Sequence, residues 1–345
     1  MPPPPDCMSR GEALAPHTTI HLGGPARWFA RCTSTADMCA SLAFAKGEGL
    51  PVQVFSGGSN IIFADEGFDG VALKVALPGF RLEESGDEAI LSAGAGVEWD
   101  SVVRRAVEGG WSGIECLSGI PGSSGATPVQ NVGAYGQEVA DTLLTLRALD
   151  RRTLTEREFS RDECEFAYRE SRFKRADDGL FIITEVRFLL KRNVEPAIRY
   201  AELAEALQGV PPPLTPAGVR DAVIRLRRRK SMVIDPADPN SRSVGSFFTN
   251  PVVTREFFES KLAGVAVPAY PAPDGVKLSA AWLVEHAGFP RGFRKGGAGI
   301  SENHALAIVN RGGSTQDVLA LAEEIENQVG RKFGIRLARE PVVVR

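Results

Sequence analysis

The stretch Gly119 to Gly136, GIPGSSGATPVQNVGAYG, is too dense in glycine and proline for a helix or a central strand. Glycine adds backbone freedom and proline removes a donor, so the segment must be a loop. Its amides can approach a phosphate or a flat ring where no Cβ intervenes, and Ser123, Ser124, Thr127, Gln130 and Asn131 add short hydrogen-bonding arms. The chemistry this implies is the seating of a cofactor. The turn SGGSN at 56–60 is a second place where a phosphate can be cradled, and Gly94 to Gly96 opens a third glycine cluster. No G-x-G-x-x-G stands between a strand and a helix, and no βαβ repeat is present, which argues against a Rossmann domain.

Four islands carry reactive side chains. FAYRES (166–171) sets Tyr168 beside Arg169, either as surface residues with the arginine in an ion pair or as a functional pair. VGSFFTNP (244–251) puts Ser246 before two phenylalanines; it is not a nucleophile elbow, because G-x-S-x-G is absent. LAREP (337–341) inserts Glu340 into an apolar strand. That carboxylate is paired or perturbed if the strand is buried, and unremarkable if the strand is a solvated edge. SENHAL (301–306) carries His304 in a polar turn, where a structural role is the commoner one. The basic run RLRRRK (225–230) reads as a solvated helix face or as a partner for a diphosphate.

In this order, HTTIHLGGPA, SGGSNIIFAD, GAGVEWD, GIPGSSGATPVQNVGAYG, YRESRFK, GSFFTNPVV and the C-terminal Glu-Pro resemble the UDP-N-acetylenolpyruvoylglucosamine reductase (UDP-N-acetylmuramate dehydrogenase) family from about His17 to Val344. The resemblance implies an α+β protein. Its FAD-binding fold would be of the vanillyl-alcohol oxidase and p-cresol methylhydroxylase type, in two subdomains at 17–75 and 76–213, followed by a smaller C-terminal α+β substrate-binding domain at 214–345. It implies non-covalent FAD held by Ser56, Gly57, Gly58, Ser59 and Asn60, by Gly94 and Gly96, and by the central loop. In that loop the residues are Gly119, Ile120, Pro121, Gly122, Ser123, Gly125, Ala126, Gln130, Asn131, Gly133, Ala134, Tyr135 and Gly136.

By the same resemblance Ser246 matches the family's proton donor, Glu340 its second acid, and Tyr168 and Arg169 its active-site pair. Tyr200, Lys230 and Asn250 would contact the substrate, UDP-N-acetylglucosamine enolpyruvate, with Tyr200 and Lys230 at its diphosphate. The implied reaction has NADPH as cosubstrate: it reduces FAD and leaves, then hydride passes to C3 of the enolpyruvyl double bond and Ser246 protonates C2. An FAD oxidase of the same fold is the rival enzyme, disfavoured because the C-terminal third carries the reductase motifs. A non-catalytic FAD or UDP-sugar binder would be expected to lack Ser246, Glu340 or Arg169.

The elements that must position these residues are written less plainly. Residues 1–16 read as a disordered tail, and 17–31 as strand, turn and strand about Gly23–Gly24–Pro25. Thr35 caps a helix carrying Met38, Leu42 and Ala45; a second runs from Trp99 to Gly109 with Asp100 or Ser101 as cap. Strands are expected at LLTLRALD and LFIITEVRFLLKR with a helix-containing connection between them. A boundary falls near the prolines at 211–213. Beyond it Thr215 and Pro216 begin a helix, further helices lie near 254–263, 278–287 and 314–333, a strand lies at 305–310, and IRLAREPVVV forms a last strand.

At 345 residues two or three domains are expected. Forty basic residues nearly balance 43 acidic ones, which speaks against nucleic-acid and membrane partners. Five cysteines without a C-x-x-C spacing speak against a disulfide framework or a metal site. With no signal-peptide core or membrane span, a cytoplasmic monomer is expected.

Overall fold

Helix starts follow local capping chemistry, and the computed structural model, which describes residues 3–345, shows it repeatedly. Helix α1 (Thr35–Gly47) begins with a capping box: Ser34 Oγ accepts from Asp37 N, and the Asp37 carboxylate accepts from Ser34 N. The cap is therefore Ser34, one residue before the expected Thr35. Helix α2 (Trp99–Glu108) has Glu98 as its N-cap with no side-chain cap. Neither Asp100 nor Ser101 caps it, because Asp100 is committed to a longer-range ion pair described below. Helices α3 (Ala201–Ala206) and α4 (Pro216–Arg229) follow, with Thr215 Oγ1 accepting from Gly218 N and Pro216 at the first turn.

The chain divides into two units, the first made of residues up to 12, 26–57 and 69–229. It holds a four-stranded sheet in the order Met8–Arg10, Ala26–Cys32, Phe68–Val75, Val52–Phe55. It also holds a five-stranded antiparallel sheet in the order Glu156–Ser160, Leu143–Asp150, Phe181–Lys191, Glu88–Gly94, Phe80–Ser85. Alternation along the long central strand buries Val186, Phe188 and Leu190. The apolar stripe of α2, Trp99, Val102, Val103, Ala106 and Val107, is buried in the same core, with the Trp99 and Phe188 rings 5.5 Å apart. A smaller cluster joins Val219, Ala222, Val223 and Leu226 of α4 to Leu203, Leu207 and Cys116.

The second unit comprises residues 13–25, 58–68 and 230–345. Helices α5 (Arg255–Lys261), α6 (Ala280–His286) and α7 (Thr315–Phe333) lie here with two three-stranded sheets and a parallel pair, Val342–Val344 on Ile61–Phe63. Ser314 and Asp317 form the capping box of α7, and the Asp65 carboxylate accepts from Thr315 N at 2.7 Å and Gln316 N at 3.1 Å. An acidic group at a helix N-terminus is favoured by both the unpaired amides and the macrodipole.

Several expectations are corrected. The supposed tail is ordered from residue 3 onward, with Met8–Arg10 paired to Ala26–Cys32 and Leu14 fully buried; only residues 1 and 2 lie outside the described residues. Proline-rich composition suggested a solvated segment, but one buried leucine and a strand's worth of backbone bonds suffice to dock it. The 17–31 segment starts on the last residue of a 3-10 turn (Ala15–His17) and runs on through bends and turns, not a strand, up to Gly24. The connection between the two long strands holds a short strand, Glu156–Ser160, and two 3-10 turns in place of an α-helix. The second unit takes up the main chain at Lys230 and not at 214, because α4 buries its apolar face on Leu203 and Leu207 of the first. The terminal strand is confined to Val342–Val344, leaving Glu340 outside it.

Candidate active site

In the first unit the glycine loop is laced to the segment Gly94–Trp99. Trp99 N donates to Gly122 O at 3.0 Å, Ser124 N to Val97 O at 2.8 Å, Gly125 N to Ala95 O at 3.0 Å, and Ser124 Oγ to Gly94 O at 2.6 Å. A Cβ on Gly125 would run into Ala95. Gly57 lies so close to the loop that its Cβ would fall 2.6 Å from Gly122 Cα and 3.1 Å from Ser123 N. Two turns therefore stack backbone on backbone, which only glycine permits. Ser56 Oγ donates to Val75 O at 2.6 Å and fixes the other turn. Ser123 is buried with its hydroxyl unpartnered. Leaving a buried hydroxyl unpartnered costs about 1–3 kcal/mol.

The start of this loop is held by Asp100 on the first turn of α2. One carboxylate takes the Gly119 amide at 2.6 Å and both Arg220 nitrogens, at 2.6 and 2.7 Å, from α4. Burial works to raise the Asp100 carboxyl, but the Arg220 and Gly119 hydrogen bonds outweigh it and hold it below its ordinary value. The end of the loop is closed by Gln137, which accepts from Cys116 N at 2.8 Å and donates to the buried Glu115 carboxylate at 2.9 Å. Glu115 also accepts from Gly113 N at 2.6 Å and Ser112 Oγ at 3.1 Å.

Arg169 stands at φ +56°, and its Nη2 donates to Gly133 O at 2.6 Å while Nη1 reaches Asn131 O at 3.4 Å. Its guanidinium lies 5.1 Å from the ring centre of the partly exposed Tyr168. Tyr135 packs edge-on against Tyr200 at 5.7 Å, and burial pushes the Tyr135 phenol up to about 12. Tyr200 is itself half exposed at the start of α3.

In the second unit backbone hydrogen bonds join three stretches, those of Ser246, His304 and Glu340. Phe247 N donates to Leu306 O at 2.8 Å, and Glu340 N donates to Phe247 O at 2.9 Å. The phenylalanines 247 and 248 are fully buried and anchor this stretch, so Ser246 and Glu340 project from fixed backbone. Ser246 Oγ lies 3.2 Å from His304 Nε2. Asn60 joins the group: its Nδ2 donates to Glu340 O at 3.2 Å, and Val342 N donates to Asn60 O at 3.0 Å. Gly58, at φ +67°, presses on the His17 carbonyl and could not carry a side chain. Asn250 Oδ1 accepts from Ala280 N at 2.9 Å, the first amide of α6, which Ser279 caps.

Residues 236–344 match the family described as UDP-N-acetylenolpyruvoylglucosamine reductase, C-terminal domain, and residues 26–155 match an FAD binding domain. A UDP-N-acetylenolpyruvoylglucosamine reductase of Thermobifida fusca is 48% identical over 352 residues, covering 98% of each chain. One of Mycobacterium tuberculosis is 47% identical over 98% of this chain and 95% of its own. The chain belongs to the UDP-N-acetylenolpyruvoylglucosamine reductase family. These are FAD-dependent oxidoreductases, and the α+β class with an FAD-binding fold ahead of a smaller C-terminal domain is the fold of this protein. The crystal structure of the Thermus caldophilus reductase, 24% identical, shares that fold with a TM-score of 0.67 over 97% of this chain and 98% of its own.

Within the first unit the structure thus brings together Gly57 with Gly122 and Ser123, Arg169 with Asn131 and Gly133, and Tyr135 with Tyr200. Within the second it gathers Ser246, His304, Glu340 and Asn60. Sequence reasoning passed over Asp100 with Arg220, and Glu115 with Gln137, because these pairs lie 120 and 22 residues apart. It left His304 open, and the structure places its Nε2 3.2 Å from Ser246 Oγ. Among the described residues no helix is long and apolar enough to cross a membrane and no group of three or more His, Cys, Asp or Glu is placed to hold a metal.

Proposed function

We propose that this protein reduces UDP-N-acetylglucosamine enolpyruvate to UDP-N-acetylmuramate, using non-covalent FAD and NADPH, as a cytoplasmic monomer in peptidoglycan precursor synthesis. The observation that carries the reading is the seating of Ser246: its backbone is tied on both sides through Phe247, and its hydroxyl faces His304 at 3.2 Å. A serine is a feeble acid, and a fixed geometry beside an imidazole is what lets it serve as a proton donor.

The residues fit the cofactor in one place above all. The amides of Gly119, Ser124, Gly125, Ala126, Thr127, Asn131 and Val132 are spent inside the protein. Backbone donation to FAD is accordingly assigned to Ile120, Gly122 and Ser123 beside Gly57, with the Ser123 hydroxyl as an added partner. FAD held there would supply hydride chemistry to the C3 end of the enolpyruvyl double bond, with NADPH as the source of its electrons. Arg169 takes the substrate carboxylate and the negative charge that develops on it, and Glu340 serves as the second acid. Ser246 delivers its proton to C2, and His304 holds the hydroxyl in the orientation for that transfer. Tyr200, Lys230 and Asn250 are assigned to the substrate, the first two at its diphosphate.

The purified protein is expected to be yellow, to bleach with NADPH and to recover its flavin band when the enolpyruvyl substrate is added. Ser246→Ala should leave bleaching intact and slow the recovery about 10²–10⁴-fold, the usual worth of a positioned proton donor. A colourless protein sinks the reading, and equal slowing of both steps removes Ser246 from its role.

A further inference from the structure

The last third of the glycine loop does something other than cradle a cofactor. Asn131 is buried, at φ +43°, and every polar atom of its side chain is used within the protein. Its Nδ2 donates to Glu138 Oε2 at 2.8 Å and to Ala167 O at 3.1 Å, while its Oδ1 accepts from Ala140 N at 3.0 Å. It ties the loop to the residue two before Arg169. Gly133 sits opposite Glu138 in a short antiparallel pair. A Cβ on Gly133 would fall 2.8 Å from Glu138 Cγ and 3.0 Å from Arg169 Nη1. It would also meet the Gln137 carbonyl oxygen at 2.9 Å, a backbone atom that cannot give way, and it would press on the Arg169 guanidinium, whose Nη2 donates to Gly133 O at 2.6 Å. The Glu138 carboxylate then stands 3.9 Å from Arg169 Nη1 on the other side, its own position fixed by Asn131 and by the backbone of Asp141.

From this arrangement we infer that Glu138 is a positioning residue for Arg169, working with Asn131 and Gly133 as a seat for its guanidinium. The inference rests on the assignment of Arg169 to the substrate carboxylate. An arginine side chain has many rotamers to lose, and holding one of them before substrate arrives removes that cost from the reaction. Two backbone carbonyls direct one edge of the fork, and the carboxylate opposes the charge without the close bidentate contact that would occupy the whole guanidinium. Asn131 and Gly133, expected from the sequence to bind the cofactor, are thereby reassigned to the arginine.

The test uses the FAD-loaded protein reduced with dithionite and mixed with UDP-N-acetylglucosamine enolpyruvate, with flavin reoxidation followed by stopped flow. Arg169→Lys is measured first and should slow reoxidation 100-fold or more; if it does not, the role of Arg169 fails and the seat has nothing to serve. Given that slowing, Glu138→Gln should slow reoxidation about tenfold while FAD content, FAD affinity and Tm stay at wild-type values, and Glu138→Asp should recover part of the loss. Gly133→Ala should act like Glu138→Gln, and combining Glu138→Gln with Arg169→Lys should add nothing to Arg169→Lys alone. The inference is overturned by a Glu138→Gln rate within twofold of wild type, by fully additive effects, or by loss of FAD or of thermal stability in step with the loss of rate.

Discussion

Replacing Asp100 with alanine tests how the cofactor turn is held. The change deletes two bonds to Arg220, at 2.6 and 2.7 Å, and one from the Gly119 amide at 2.6 Å. The side chains are 29% exposed for Asp100 and 15% for Arg220, so the pair lies between a surface and a core ion pair. Breaking a fully buried pair costs about 3–5 kcal/mol and an exposed one about 0–1, which puts this one near 2. The stranded Gly119 amide adds about 1 kcal/mol, for a total near 3. Denaturant unfolding of the apoprotein reads that total. FAD titration by flavin fluorescence reads the share that passes through the loop, up to about 100-fold in Kd at 1.4 kcal/mol per decade. Arg220→Met should reproduce most of the stability loss and less of the affinity loss, because the carboxylate still holds Gly119. The contribution also has a pH signature. Because the Asp100 carboxyl is held below its ordinary value, it stabilises the fold above pH 4 or so, and that stability fades as pH falls through the lowered value. A loss under 0.5 kcal/mol with unchanged FAD affinity would refute the reasoning.

His304→Gln should slow flavin reoxidation by substrate about tenfold while leaving FAD binding and NADPH bleaching intact, since its Nε2 lies 3.2 Å from the Ser246 hydroxyl assigned to the protonation step; stopped-flow rates that match wild type would leave the histidine structural. Gly57→Ala places a methyl 2.6 Å from Gly122 Cα, so the alanine protein should be isolated with little or no FAD, judged by the ratio of flavin to protein absorbance; full occupancy would show that the two turns need not stack.

The sequence disclosed the parts whose chemistry is local. Ser314 and Asp317 stand three apart and form the capping box they spell, and Pro216 opens α4 as expected. The glycine loop was legible as a loop because no regular element tolerates that composition. What stayed hidden depends on long-range pairing. Asp100 has the composition of a helix cap, yet its carboxylate is claimed by Arg220 from a helix 120 residues further on. Glu340 sits in a run that reads as one strand, but the backbone there is divided between Phe247, Phe248 and Asn60, and only Val342–Val344 forms a ladder.

The opening loop shows why composition alone overstates a site. Read as a string, the loop offered cofactor contacts along its whole length, from Gly119 to Gly136, since every glycine removes a Cβ. In the fold the glycines serve different neighbours: Gly122 admits Gly57, Gly125 admits Ala95, and Gly133 admits the Arg169 guanidinium and the Glu138 side chain. Close approach is the common cause, and the identity of what approaches sets the role. Where the neighbour is another turn and an orphan hydroxyl lies beside it, as at Gly57, Gly122 and Ser123, the space suits a ligand phosphate. Where the neighbour is an arginine with a fixed carboxylate behind it, the glycine belongs to the machinery that aims a charge. A loop of this kind divides its packing along its length, meeting another glycine turn in its first third and the Arg169 guanidinium in its last.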